Sequence, residues 1–367
     1  MLVLLLCSIF VSLVCAIFFI RAGSDHLEPY DEAKPQRFHA GNVPRVGGLG
    51  MFAGASMGWF CAAIATENGD PMTVDVGWGL ASGWILVMLP AVLGGAYEDI
   101  TQRLSVRYRL TLTATSAVLA CSLFDLSVSR LGFPMIDSWW LAMPWAGVML
   151  AFIAICGLPH AFNIIDGYNG LAGTVALLVC AAIAHVALQL GDRQLAAMVM
   201  CMVGATAGFL FLNYPRGLIF AGDGGAYLWG LVIAVACVAL VQRHAEVSPW
   251  FPMLLLIYPV WETLFSIYRK IARGGSPGVA DALHFHQLIY RRLVRGVFHD
   301  DVSRRMLMRN NRTSPYLWSF TLLTVVPAVI FWTNTPMLIA FCVLFVLSYI
   351  AVYVAIIRFR IPRWLRR

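Results

Sequence analysis

Cys156–Gly173, CGLPHAFNIIDGYNGLAG, sets one carboxylate (Asp166), two carboxamides (Asn163 and Asn169) and one imidazole (His160) between two apolar runs. The runs, 140–158 and 170–190, are each about 20 residues long, the length a bilayer core requires. A polar cluster at such a boundary is costly unless it meets water, a cation or a substrate. Pro159 and the glycines Gly157, Gly167, Gly170 and Gly173 predict a break and a tight turn. Asn163, Asp166 and Asn169 recur at every third position, so a helical stretch would bring them near one face. The bland alternative is a polar loop that only joins two spans.

The rest of the chain has the same alternation. Its 367 residues are 60% hydrophobic and only 12% charged, about half the charge of a soluble domain. The apolar runs predict an all-α, polytopic membrane protein of about 11 transmembrane helices. They lie near 2–20, 46–66, 77–97, 109–124, 140–158, 170–190, 195–213, 225–241, 250–267, 315–333 and 337–357. The first run lacks the basic start of a signal peptide and its apolar core is too long, so it reads as a retained helix. The nine cysteines sit in or beside apolar runs without metal-ligand spacing and read as free thiols. No soluble domain, repeat or low-complexity tract is evident. The sequence predicts one integral-membrane domain, 1–367, with a His/Arg-rich loop at 268–314.

Charge orients the spans. Every Lys and Arg except Arg130, Arg193 and Arg243 falls in one alternating set of loops: 21–45, 98–109, 159–169, 214–224, 268–314 and 358–367. The positive-inside rule makes that set cytoplasmic, with the N-terminus outside and the C-terminus inside. The net charge of +7 belongs beside anionic headgroups; no basic stripe interleaved with aromatics points to nucleic acid.

Five polar clusters face the predicted cytoplasmic side. The first loop supplies Lys34, Arg37, His39 and Arg45 as phosphate partners, and Gly47, Gly48 and Gly50 as places where backbone amides approach an anion. The second carries Glu98-Asp99 directly after an apolar run; adjacent carboxylates there fit a divalent cation or a strong base. The third is the central stretch. The fourth, GDGG, sets Asp223 between glycines, with Asn213 and Arg216 upstream; a metal ligand and a helix N-cap are both consistent with it. The fifth holds Asp281, His284, His286, Arg291 and Arg292, which read as phosphate contacts before zinc ligands. Together the carboxylates suit a hard cation and the cations suit phosphates.

The order PRVGG, ED, NxxDGxNGLAG, GDGG and HFHQ resembles the bacterial polyprenyl-phosphate N-acetylhexosamine-1-phosphate transferases of glycosyltransferase family 4, from Lys34 to about Arg292. The resemblance implies a Mg²⁺ or Mn²⁺ enzyme of the bacterial inner membrane with a cytoplasmic-face active-site cleft. Its partners would be a UDP-N-acetylhexosamine and polyprenyl phosphate, and UMP would be released. It implies Asp223 and Asp166 as metal ligands and Glu98, Asp99 and Asp166 as catalytic groups. Substrate contacts would come from Lys34, Arg37, His39, Arg45, Asn163, Asn169, Asn213, His284, His286, Arg291 and Arg292. Three positions depart from the family pattern: Glu98 for the first Asp, Asn169 for a second Asp, and Gln287 where some members have a third His. A transporter of an anionic solute is the competing class, but it would place charge at mid-membrane and often repeat internally. An apolar outer face would suit a homodimer.

Overall fold

The computed structural model describes residues 1–22, 42–68, 74–274, 283–294 and 296–358. Lys34, Arg37, His39 and Asp281 lie outside the described residues. Among those described, regular structure is entirely helical. In chain order the helices are α1 (Leu2–Ala22), α2 (Gly47–Glu67), α3 (Trp78–Thr101), α4 (Val106–Leu123), α5 (Pro134–Leu141), α6 (Pro144–Ile165) and α7 (Leu171–Gln189). There follow α8 (Arg193–Asn213), α9 (Gly222–Arg243), α10 (Trp250–Leu255), α11 (Ile257–Ala272), α12 (Phe285–Arg292), α13 (Val302–Ile330) and α14 (Thr335–Ile357).

Among the described residues, nine helices are long and apolar enough to cross a bilayer: α1, α2, α3, α6, α7, α8, α9, α13 and α14. The chain is a multi-pass membrane protein. The two other expected spans take different forms. The run 109–124 is α4, whose Arg107, Arg109, Thr111, Thr113 and Thr115 make it too polar for that class. The run 250–267 is split at Leu256 into α10 and α11, where Pro252 and Pro259 interrupt the amide ladder. Segment 268–314 is helical at both ends, in the last turn of α11 and the first turns of α13, with α12 between them.

α9 is the axis. It is apolar all round, and every residue from Gly224 to Val241 is buried, as expected of a helix encircled by others. Without a hydrophobic force between helices in lipid, close backbone approach must hold them. A Cβ at Gly48 would collide with Gly225 N, one at Gly95 with Gly224 N, and one at Gly230 with the Pro159 backbone. These glycines seat α2, α3 and α6 on α9. Pro159 therefore does not break α6, which runs on to Ile165. α1 and α14 are mostly exposed and form the lipid-facing rim.

At the opposite end of α9 from Asp223, Asp192 caps α8. Its carboxylate accepts from Leu195 N at 2.9 Å and meets Arg243 Nη1 at 3.3 Å and His244 Nε2 at 3.1 Å. Burial alone would raise its pKa, but the Leu195 amide, His244 and Arg243 outweigh it and hold the carboxyl below the usual range. The short α5, with Met135 86% and Trp139 77% exposed, lies at the same end and suits the aromatic belt of a membrane interface.

Asp192→Ala should lower thermal stability in detergent by about 1–2 kcal/mol at neutral pH. The contribution is fully present above about pH 4 and disappears as pH falls through the lowered pKa, so wild type and variant should converge in acid. Gly95→Ala should cost about 1–3 kcal/mol or more by forcing α3 off α9, read as loss of monodisperse protein or a lower melting point.

Candidate active site

The site is built on the first turn of α9. Residues 44–48 run beside 220–221: Phe220 N donates to Pro44 O at 2.8 Å, Gly47 N to Phe220 O at 2.9 Å and Gly48 N to Ala221 O at 2.9 Å. The Gly47 and Gly48 amides are thereby spent, and Gly50 is buried against α1. This corrects the expectation that these glycines offer amides to an anion: the close pairing of two backbone segments uses them. Gly222 then turns the chain at φ +71°, a conformation open to glycine.

A helix start leaves amides without partners. Asp99 takes the first two: Asp223 N donates to its Oδ1 at 2.9 Å and Gly224 N to its Oδ2 at 3.0 Å. Gly95 explains how. It lets α3 touch α9, and Asp99, one turn further on the same face, meets the helix start. Asp99 is thus the cap, supplied by another helix, and Asp223 is free of the N-cap role its sequence allowed. Glu98 goes elsewhere, because neighbouring helical residues point apart. Its Oε2 accepts from Leu104 N at 2.6 Å and closes the turn after α3. The two carboxylates do not form a pair on one cation.

Asp223 projects into a polar cleft. Its Oδ1 accepts from Asn163 Nδ2 at 2.7 Å; its Oδ2 accepts from Arg109 Nη1 at 2.8 Å and from the Tyr227 hydroxyl at 3.3 Å. His160 lies behind, its Nε2 3.0 Å from Thr113 Oγ1 and its ring edge-to-face with Tyr227 at 5.3 Å. Arg109 and Tyr227 escaped the sequence reading. The signal for Tyr227 was its position four residues after Asp223; for Arg109 it was a cation one turn into the helix after the Glu98-Asp99 pair.

Asp166 ends α6 as its C-cap. Burial pushes its carboxyl up to about 7, against the pull of Arg45 and with added repulsion from Asp223. Arg45 and two carboxylates therefore share the cleft. The expected single helical face of Asn163, Asp166 and Asn169 does not exist, because the helix stops at Ile165. Asn163 faces Asp223, while Asn169 is buried beneath α13. There Asn169 N donates to Asn310 Oδ1 at 2.8 Å, Asn169 Nδ2 to Asn311 Oδ1 at 3.0 Å and Ser314 Oγ to Asn169 O at 2.6 Å. Asn213 accepts from Gly170 N at 2.6 Å and donates to Ile219 O at 2.7 Å. Asn169 and Asn213 hold the 166–170 turn in place rather than line the cleft. Gly170 adopts φ +69°, which completes that turn.

α12 flanks the turn. His286 Nε2 lies against Gly167, and the His286 ring meets Tyr168 edge-to-face at 5.6 Å. His284 stacks on His286 with centroids 5.4 Å apart. Arg292 Nη1 donates to Ile356 O at 2.8 Å and Ile357 O at 2.6 Å, capping α14. Arg291 lies near enough to Tyr168 to act on its hydroxyl.

Among the described residues, no three His, Cys, Asp or Glu converge as a ready-made cation site. What the cleft offers is two oxygen-donor carboxylates, Asp166 and Asp223. That set fits a hard cation that keeps most of its shell as water and phosphate oxygen, and fits a soft one poorly.

Residues 81–241 match the family model described as Glycosyl transferase family 4. The chain is 28% identical over 291 residues to an undecaprenyl-phosphate alpha-N-acetylglucosaminyl 1-phosphate transferase of Escherichia coli O157:H7, covering 78% of this chain and 76% of that protein. The protein of the same name from Yersinia pestis is 25% identical over 288 residues, 77% of this chain and 75% of that one. The matched stretch runs from α3 into the last turn of α9 and contains Glu98, Asp99, Arg109, Asn163, Asp166 and Asp223; over that stretch the chain is similar to glycosyl transferase family 4.

Proposed function

We propose that the protein transfers an N-acetylhexosamine 1-phosphate from a UDP-sugar to polyprenyl phosphate at the cytoplasmic face of a bacterial inner membrane. The step would open a cell-surface polysaccharide pathway such as that of O-antigen, capsule or cell-wall glycopolymer. The observation that carries the reading is Asp223: a carboxylate aimed into a cleft at one end of a fully enclosed helix, ringed by Arg109, Asn163 and Tyr227 and faced by Asp166 and Arg45. The similarity to undecaprenyl-phosphate sugar-phosphate transferases supports the same chemistry.

In this reaction an oxygen of the lipid phosphate attacks the β-phosphorus of the UDP-sugar. The bond from that phosphorus to the oxygen bridging it to the α-phosphate breaks, and UMP leaves with the bridging oxygen. Three anionic groups must approach, so charge neutralisation and alignment dominate the barrier. Asp223 and Asp166 would hold a Mg²⁺ or Mn²⁺, which when bound supplies Lewis-acid neutralisation of the diphosphate. Arg109 and Arg45 add fixed positive charge, and Asn163 orients Asp223. His284 and His286 face the nucleotide sugar from the side of the 166–170 turn, with Arg291 near them. Lys34, Arg37 and His39 would join from the first loop. Asp99 acts by fixing the start of α9, and Glu98 by fixing the turn after α3. A phosphate monoester is largely ionised at neutral pH, so no residue is needed to take its proton.

Purified protein given radiolabelled UDP-N-acetylhexosamines and polyprenyl phosphate should release UMP and form a labelled lipid. Release of UDP, or of free sugar phosphate, refutes the reading. Asp223→Asn should lower kcat by about 10²–10³-fold. Asp99→Asn can accept at only one of its two positions and sets an amide N–H against a backbone N–H. It should lower both the melting point and activity, by about 1–3 kcal/mol in stability. An Asp99→Asn protein with wild-type stability but no turnover would make Asp99 a direct participant instead.

A further inference from the structure

Glu262 is a carboxylate that neither the motif reading nor the cleft above uses. It lies on α11, inside a run expected to be an ordinary span, and is fully buried at 0% exposure. An unpartnered carboxylate there would be costly. Glu262 instead receives three donors. Its Oε1 lies 3.0 Å from His284 Nδ1 and accepts from Phe285 N at 3.1 Å; its Oε2 accepts from the Tyr349 hydroxyl at 2.6 Å. Tyr349 comes from α14 and the other two from α12, so one side chain ties three elements together. Around it stand Tyr258 on its own helix, Arg269 two turns beyond, and His286 across the ring of His284.

The donor pattern fixes a proton. A carboxylate only accepts, so His284 must carry hydrogen on Nδ1, which leaves Nε2 as the atom the ring presents away from Glu262. His284 lies nearly parallel to His286, with 6° between the ring planes, and His286 in turn abuts Gly167 in the turn that follows Asp166. The line Glu262, His284, His286, Gly167 is continuous contact from the bundle interior to the cleft.

We propose that Glu262 is the positioning residue of the histidine segment: it selects the His284 tautomer and, through the stacked pair, sets His286 against the Gly167 turn. The kinetic consequence rests on the transferase reading above; the tautomer does not. In Glu262→Gln an oxygen at the Oε1 position still accepts from Phe285 N and His284 Nδ1 alike while the nitrogen donates to the Tyr349 hydroxyl, so the tautomer can survive; Glu262→Ala removes the acceptor outright.

The test has two arms on the full-length protein in detergent. With ¹⁵N-histidine labelling, the His284 signal, assigned by its loss in His284→Asn, should show the Nδ1–H form in wild type and change in Glu262→Ala. An Nε2–H form in wild type overturns the proposal. In steady-state kinetics Glu262→Ala should raise KM for the nucleotide sugar about tenfold or more while the KM for polyprenyl phosphate stays unchanged. That penalty should vanish in a His284→Asn background, since the carboxylate acts through the imidazole. An equal penalty in both backgrounds means that Glu262 merely supports the fold, and overturns the proposal. Should Glu262→Ala fail to accumulate, Glu262→Asp draws the carboxylate back from His284 Nδ1 by one methylene; it should raise the same KM in smaller measure, and an unchanged KM refutes the idea. Wild-type protein with no transferase activity refutes the functional reading alone, and the spectrum still decides the tautomer.

Discussion

Two hydrogen bonds from the first amides of α9 to the Asp99 carboxylate govern the geometry of the cleft. A helix start buried against a neighbouring helix leaves its free N–H groups to be met by that neighbour, and the dipole there favours negative charge. Asp99 meets both needs from a neighbouring helix. The cost is close approach: Gly48 and Gly95 must lack side chains, and Gly222 must take a left-handed turn, or the two backbones cannot come near enough. Once the start of α9 is fixed, the direction of the Asp223 side chain is fixed too, and Asn163 and Arg109 meet its two oxygens.

The charges of the cleft are balanced with few groups. Asp223 has Arg109; Asp166, crowded by Asp223 and drained of water, has Arg45. Neither carboxylate is neutralised by a second protein ligand of the same kind. A cation and a diphosphate entering together would bring nearly compensating charges, so the cleft can accept both without a large change in its net field. A site for a free metal would need more carboxylates than are present. A site for a free phosphate would need fewer.

Much of this was legible. The apolar runs give most of the helices, because length and hydropathy decide what crosses a bilayer. The ordered motifs bring Asp99, Asn163, Asp166 and Asp223 to one place. What the residues could not show was the division of labour. Glu98 and Asp99 are alike in chemistry and adjacent in sequence, yet a helical step sends one to a loop amide and the other to a helix start. Asn169 and Asn213 look like ligands by type; Asn169 serves as a brace because Asn310, Asn311 and Ser314 arrive from a helix some 140 residues away, and Asn213 because Gly170 N and Ile219 O occupy its carboxamide. Arg109 and Glu262 were invisible for opposite reasons. One was counted as loop charge, the other was hidden in an apolar run.

α1 has a separate lesson, about assembly in time. Gly204 and Gly208 of α8 open space for Leu5 O and Ile9 O of α1, and Ser12 Oγ donates to Ala205 O at 2.7 Å. A ribosome delivers α1 long before α8 exists. Through that interval α1 has α2, whose Gly54 and Gly58 lie against Ser8 and Ser12, while the face toward α8 stays open to lipid, which a hydroxyl tolerates by bonding back to its own helix. The seam closes only when α8 arrives. Of the helices described, the one translated first thus has one flank covered at once by α2, and the other only after five more helices have followed.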